Sequence, residues 1–343
     1  MNLTNNYFMK IKTILLALLL STSFVGASYA NYQDGLDAYN RGDYKTALNE
    51  LGPLVLDGNA TAQFNLGLVY ENATGILKDD KEAVKWYQLS ADQGNAQAQN
   101  SLGWMYENGN GVLRDYKKAV KWYQLSANQG NATAQNNLGW MYSEGTGVLK
   151  DDKKAVKWYQ LSADQGNAIA QHNLALKYAY GEGVFKDYKE AVEWYRKAAD
   201  QGNAGAQSNL GVMYARGTGV LKDDKQAVKW YRKAANKGYS YAQYNLGDMY
   251  ENGIGVLKSH RKALKWYRKA ADQGLPDAQL VSAKLAIRVI EENLIEDLTE
   301  KKKSEGYKEI AKLVSSLYEN TEATAEMREE AKELWNKYEL HRY

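Results

Sequence analysis

The chain has 343 residues, 44% of them hydrophobic and 25% charged, with 27 Tyr, 9 Trp, 2 Pro, no Cys and a formal charge of +3. The lack of Cys excludes disulfides, thiolate zinc sites and cysteine nucleophiles, and the small, scattered charge excludes a nucleic-acid partner. The apolar content excludes wholesale disorder, and the scarcity of Pro points to long helical tracts.

At the N-terminus, Lys10 and Lys12 precede an apolar run from Ile14 to Leu20, and small residues follow at Ser28 and Ala30. A basic start, a short apolar core and a small-x-small exit predict a cleaved secretory signal peptide over residues 1–30. The run is too short to span a bilayer. No Cys follows it, so no lipid anchor is expected. The mature chain is expected to start at Asn31, to be periplasmic or secreted, and to keep no stable membrane anchor after cleavage.

Beyond this leader the chain repeats itself. The stretch WYQLSADQG stands at 86–94 and again at 158–166. Trp-Tyr pairs begin at Trp86, Trp122, Trp158, Trp194, Trp230 and Trp266, and Ala-Gln pairs recur from Ala62 to Ala278, always 36 residues apart. Six copies run without insertion from Asn59 to Gly274, and a fixed period of this length means an array of stacked units.

The copy at 131–166 shows what one unit is. Ala134, Leu138, Met141 and Tyr142 form one stripe of a first helix, which Gly145 and Gly147 end. Asp151 or Asp152 caps the second helix, and in the first copy Asp79 with Glu82 makes a capping box. Ala155, Trp158, Tyr159, Ser162 and Ala163 form the expected inward stripe, and Gly166 stops the helix. Each unit is a helical hairpin that buries its stripe only by stacking on neighbours.

This pattern of AQ, NLG, MY, G-x-G, KD and WY resembles the Sel-1-like repeat, a 36-residue branch of the tetratricopeptide superfamily, over residues 59–274. Ala73 replaces the first loop Gly in the first copy, and Ala175 replaces the helix Gly in the fourth; both are small enough to keep the hairpin. Residues 31–58, with Tyr39, Gly42, Asp43, Tyr44, Ala47 and Leu48, resemble a tetratricopeptide hairpin and form the expected N-terminal cap. The resemblance implies an all-α, right-handed α-solenoid of tandem hairpins with helical caps. It also implies that the first helix of each hairpin lines a concave groove.

A seventh unit starts after Gly274 but lacks the G-x-G loop and the Trp-Tyr pair. Val281, Leu285, Val289, Leu294 and Leu298 predict one long helix, with the segment 301–306 breaking it. Two helices follow, around Ile310–Leu317 and Ala325–Tyr338. Residues 275–343 are therefore read as a C-terminal helical cap, which shields the last unit from water.

Constant positions serve stacking; variable ones are free for function. At 100° per residue, positions 64, 68 and 71 point away from the constant Ala62, Leu66 and Tyr70. The partner-binding candidates on this face are Asn100, Trp104, Asn136, Trp140, His172, Tyr180, Tyr244 and Asp248. The two Trp rings are the sharpest of these, because Trp carries much binding energy; packing against the next hairpin is the alternative for them. Catalytic and metal residues are not expected, and no cofactor is. Ser259 and Lys262 fit Ser-x-x-Lys, but the companion motifs are absent and Ser259 occupies the capping position. His172, His260 and His341 lack metal spacing. The Asp pairs lack the spaced oxygens of a calcium loop, and the Gly-x-Gly loops follow helices. The reading is an exported, non-enzymatic scaffold or adaptor that binds a protein or peptide in its groove. The alternatives are a cell-wall glycan or small-molecule binder and, remotely, penicillin-binding or β-lactamase-like activity.

Overall fold

The computed structural model describes residues 32–56, 58–73, 78–292, 294 and 299–343. The expected signal peptide lies outside them. Among the described residues there are seventeen α-helices, a closing 3-10 turn and no strand. Helices α1 (Tyr32–Asn40) and α2 (Tyr44–Leu56) form an N-terminal hairpin. The six 36-residue repeats follow as pairs: α3 (Ala60–Asn72) with α4 (Asp80–Asp92), α5 (Ala96–Asn108) with α6 (Tyr116–Asn128), and α7 (Ala132–Glu144) with α8 (Asp152–Asp164). Then come α9 (Ala168–Tyr180) with α10 (Tyr188–Asp200), α11 (Ala204–Arg216) with α12 (Asp224–Asn236), and α13 (Ser240–Asn252) with α14 (His260–Ala271). Helices α15 (Pro276–Glu291), α16 (Glu300–Glu319) and α17 (Ala325–Lys337) complete an α-solenoid. The chain packs as two compact units, one ending at Trp122 and one starting at Tyr123.

Local chemistry sets the helix ends. Free backbone amides of a first turn need acceptors. Asn95 and Asn203 supply them to Ala98 N and Ala206 N on first helices. Asp79 supplies them on a second helix, accepting from Lys81 N at 3.0 Å and Glu82 N at 3.1 Å. The expected capping box is only half made: Asp79 N donates to Tyr70 O at 3.1 Å, and Glu82 pairs with Lys85 instead. That backbone bond ties the two helices of the hairpin together, and Asp151 N→Tyr142 O and Asp223 N→Tyr214 O repeat it. It survives in the first repeat, where Ala73 has no left-handed backbone. The second loop Gly has a different duty. A Cβ on Gly219, at φ +71°, would lie 2.3 Å from Tyr188 O of the preceding repeat, so only glycine lets the loops abut.

The Tyr of each Trp-Tyr pair is the core residue. Tyr87, Tyr123, Tyr159, Tyr195, Tyr231 and Tyr267 are all buried. In the first, third, fifth and sixth repeats the ring lies close against the helix glycine of the first helix: a Cβ on Gly139 would meet Tyr159 Cδ1 at 2.7 Å, and one on Gly211 would meet Tyr231 Cδ1 at 2.6 Å. Trp158, expected to point inward with Tyr159, is instead half-buried. One residue is 100° of helix, so the indole falls on the flank that faces the preceding second helix. Trp194 and Trp230 on the same flank are buried, with Lys197 and Lys233 Nζ 3.7 Å and 4.0 Å from the ring centroids.

The Ala-Gln series closes both the hairpin and the seam between repeats. Gln171 Nε2 donates to Ala163 O of the preceding repeat at 3.1 Å, while its Oε1 accepts from Gln201 Nε2 at 2.8 Å. Gln243 does the same with Ala235 O and Gln273. In the fifth repeat Lys237 stands where the others carry this second Gln. Its ammonium turns to Gly202 O at 2.6 Å, and Gln207 Oε1 is left buried without a partner. The fourth repeat carries Lys177 where its neighbours have a buried Met. This buried ammonium binds Asp152 Oδ1 and Glu182 Oε2, each at 2.7 Å. Burial opposes its charge, but those bonds outweigh it and hold its pKa above the usual Lys range.

The C-terminal segment departs from expectation. Helix α15 stops at Glu291, and Leu294 follows outside it; Leu298 lies outside the described residues. Residues 301–306 do not break a helix but form the first turns of α16. Thr299 caps it at Lys302 N, and Glu300 pairs with Lys303 at 2.9 Å. The cap and the acidic first residue offset the roughly 1 kcal/mol that Gly306 costs within a helix.

Candidate interaction surface on the first helices

Stacking uses the inner two thirds of each first helix, and the remaining third forms a stripe. Positions 61, 64, 68 and 72 of the first repeat, and their equivalents 36 residues on, fall within about 80° of one another at 100° per residue. In the fourth repeat this stripe reads Ile169, His172, Leu176 and Tyr180; in the sixth it reads Tyr241, Tyr244, Asp248 and Asn252. Several of its exposed members are large and apolar. Within the C-terminal unit Trp140 is 40% exposed, Ile169 56%, Tyr180 69% and Tyr241 57%; in the N-terminal unit Trp104 is 40% exposed.

The structure divides the sequence candidates into two groups. Trp104, Trp140 and Tyr180 are open to solvent. Asn136 and His172, by contrast, belong partly to the seam between repeats. Asn136 is buried and its Oδ1 accepts from Asn173 Nδ2 at 3.1 Å. His172 Nε2 lies 3.2 Å from Asn209 Nδ2, and its imidazole rests on the Tyr195 ring with centroids 5.8 Å apart. Burial pulls the His172 pKa down to about 4, so the ring is neutral near pH 7 and accepts the Asn209 amide. Asn100 is half-buried. Tyr244 is half-buried with its ring 5.6 Å from that of Tyr267. Asp248 accepts from Asn252 Nδ2 at 2.7 Å, and burial, then the charge of Glu251, raises its pKa.

Position 71, expected on the same face, serves the buried Tyr hydroxyls. Glu71 accepts from Tyr87 and, at 2.9 Å, Glu251 accepts from Tyr267. A buried hydroxyl needs such a partner, so this position leaves the stripe. Position 61 joins it. Ile169 and Tyr241 escaped notice, yet they lie seven residues before Leu176 and Asp248, two helical turns along the same face.

Other expected roles resolve simply. Ser259 caps α14, accepting from Lys262 N at 3.4 Å. Among the described residues no group of three or more His, Asp or Glu could hold a metal ion. No described helix is long and apolar enough to cross a membrane.

Six consecutive segments, residues 60–95, 96–131, 132–167, 168–203, 204–239 and 240–275, match the Sel1 repeat. A protective antigen present in uropathogenic Escherichia coli strains, displaying an SLR fold, is similar at 36% identity and a TM-score of 0.69. The likeness covers 84% of this chain and 63% of that one, so this chain spans less than two thirds of the antigen's length. A Sel1 repeat protein from Oxalobacter formigenes is similar at 36% identity and a TM-score of 0.66, over 71% of this chain and 100% of its own. No curated protein matches the chain.

Proposed function

Because the chain belongs to the Sel1 repeat family, we propose that it is an exported, non-enzymatic scaffold that binds a protein or peptide along the outer stripe of its first helices. One observation carries this reading: the face that stacking leaves unused holds Trp140, Ile169, Tyr180 and Tyr241, all substantially exposed. Large rings that keep area in water while their helix is fixed on the opposite side are the side chains that concentrate binding energy. Aliphatic Ile169 and Leu176 lie between the rings, and such a mixture suits the side chains of a peptide. Export rests on the N-terminal pattern of Lys10, Lys12, the apolar run and the small residues at Ser28 and Ala30.

A photoreactive residue placed at Tyr180 should cross-link a protein in the extracytoplasmic fraction that the same residue at Lys157, on the outer face of α8, does not. Tyr180→Ala should then weaken the purified pair by at least tenfold with the melting temperature unchanged. Equal labelling at both positions would overturn the assignment of the stripe. A protein recovered with residues 1–30 attached would overturn export alone.

A further inference from the structure

Each Trp of the six Trp-Tyr pairs is the seventh residue of its second helix: Trp86 in α4, Trp194 in α10, Trp230 in α12 and Trp266 in α14. There the indole packs on the side of the preceding second helix, and Trp230 joins Ala191, Val192 and Tyr195 in one core cluster. Helix α16 takes the place of a seventh second helix. Its seventh residue is Gly306, followed by Tyr307. The 36-residue step from Trp266 likewise falls on a residue without a ring, Lys302, so no indole closes the last seam. A cavity of about 460 Å³ opens between α14, α15 and α16, lined by both Lys302 and Gly306, and a Cβ on Gly306 would meet Ile290 Cδ1 at 2.8 Å on its edge.

The lining of this cavity has a definite chemistry. Leu264, Ala286, Val289, Ile290 and Gly306 make an apolar floor, while Arg261, Lys265, Arg268 and Lys302 bring four cations to its wall. Arg261, Leu264, Lys265 and Arg268 share one face of α14 at spacings of three, four and seven. One carboxylate, Glu309, pairs with Arg268, and Arg268 Nε remains buried without a protein partner. The volume falls in the range of small-molecule sites, which join an apolar wall to a few convergent charges.

We propose that this cavity is a binding site for a small amphipathic anion: a flat or short-chain apolar body in the space of the absent indole, carrying a carboxylate or similar group toward Arg268 and its neighbouring cations. The site is independent of the stripe on the first helices.

The test uses the purified full chain and three probes of one shape and different charge: indole-3-acetate, indole and tryptamine. Calorimetry should give one site for indole-3-acetate, at about 1 mM or tighter for a ligand of this size, and at least about tenfold weaker binding of tryptamine. The Gly306 amide resonance should shift on titration. Replacing the exposed pair, Arg261→Gln with Lys265→Gln, should weaken indole-3-acetate by about tenfold and leave indole unchanged, and Gly306→Trp should abolish both. If Gly306→Trp does not fold, the charge variant decides. Absence of binding, tryptamine binding as tightly as the acid, resonance shifts confined to other helices, or an unaffected charge variant would each overturn the proposal.

Discussion

Changing Gly211 to Ala should destabilise the protein, although helix propensity favours Ala over Gly by about 1 kcal/mol. A Cβ at this position would lie 2.6 Å from Tyr231 Cδ1 and Cε1 and 3.2 Å from Cγ. Those atoms belong to a ring that is almost wholly buried, so ring or helix must shift, and such overpacking costs roughly 1–3 kcal/mol. A 2.6 Å approach to a buried ring belongs in the upper half of that range, so after the propensity gain the expected net loss is about 1–2 kcal/mol. The fourth repeat supplies the reciprocal experiment, because Ala175 is already buried at the equivalent position. Ala175→Gly removes one buried methyl, worth about 1 kcal/mol, and adds the helix penalty of Gly, for a loss of about 2 kcal/mol. Opposite substitutions at equivalent positions should thus both lower stability. Urea titrations followed by far-UV circular dichroism measure this, with the slope checked because repeat arrays can lose two-state behaviour. A midpoint for Gly211→Ala at or above that of the parent would refute the ring-on-glycine account.

Lys237→Gln should stabilise the protein by about 1 kcal/mol, because the new amide can donate to the orphaned Gln207 Oε1; thermal melts read the gain, and no gain means that the orphan is satisfied otherwise. His172 gives a pH signature. Its folded pKa, near 4, lies below the value of about 6.5 for an unfolded His. The unfolded state therefore binds the proton first, and stability falls as pH drops from about 6.5 toward 4, by at most about 3 kcal/mol. His172→Asn, which copies Asn136 two hairpin helices earlier in the array, should remove that part of the acid slope; a parallel slope in parent and variant would contradict the burial of the ring.

Whatever obeys a local rule was legible in the sequence. The period, the loop glycines and the Asp and Ser caps depend on residues a few places apart, and the repetition presents each of them several times. The error over Trp158 has a different origin. Trp and Tyr are equally constant at 36-residue steps, so constancy alone does not say which ring faces the glycine and which the seam. Position 68 of the stripe was readable from helical angle, and so was position 61, which the same arithmetic places beside it. Position 71 was misread, and the seam contacts of position 64 escape helical arithmetic, because the partners are distant in sequence: Asn173 is 37 residues from Asn136, and Tyr267 is 16 from Glu251. In the tail, Gly306 looked like a helix breaker because nothing near it shows that Thr299 and Glu300 already start the helix.

The buried Lys177 gives the array a grammar. Most seams join like to like, so a unit could be removed or duplicated in whole steps of 36 and the new junction would repeat the old one. The Lys177 seam is particular, because its ammonium reaches back to Asp152 at the start of the previous second helix. The first, third and fifth repeats carry Asp80, Asp152 and Asp224 there, whereas the second and fourth carry Tyr116 and Tyr188. A gene rearrangement that placed the fourth repeat after an even-numbered one would leave that cation with Glu182 alone. Recombination can therefore lengthen this protein freely in most places, but at this junction only in an order that keeps an aspartate ahead of the lysine.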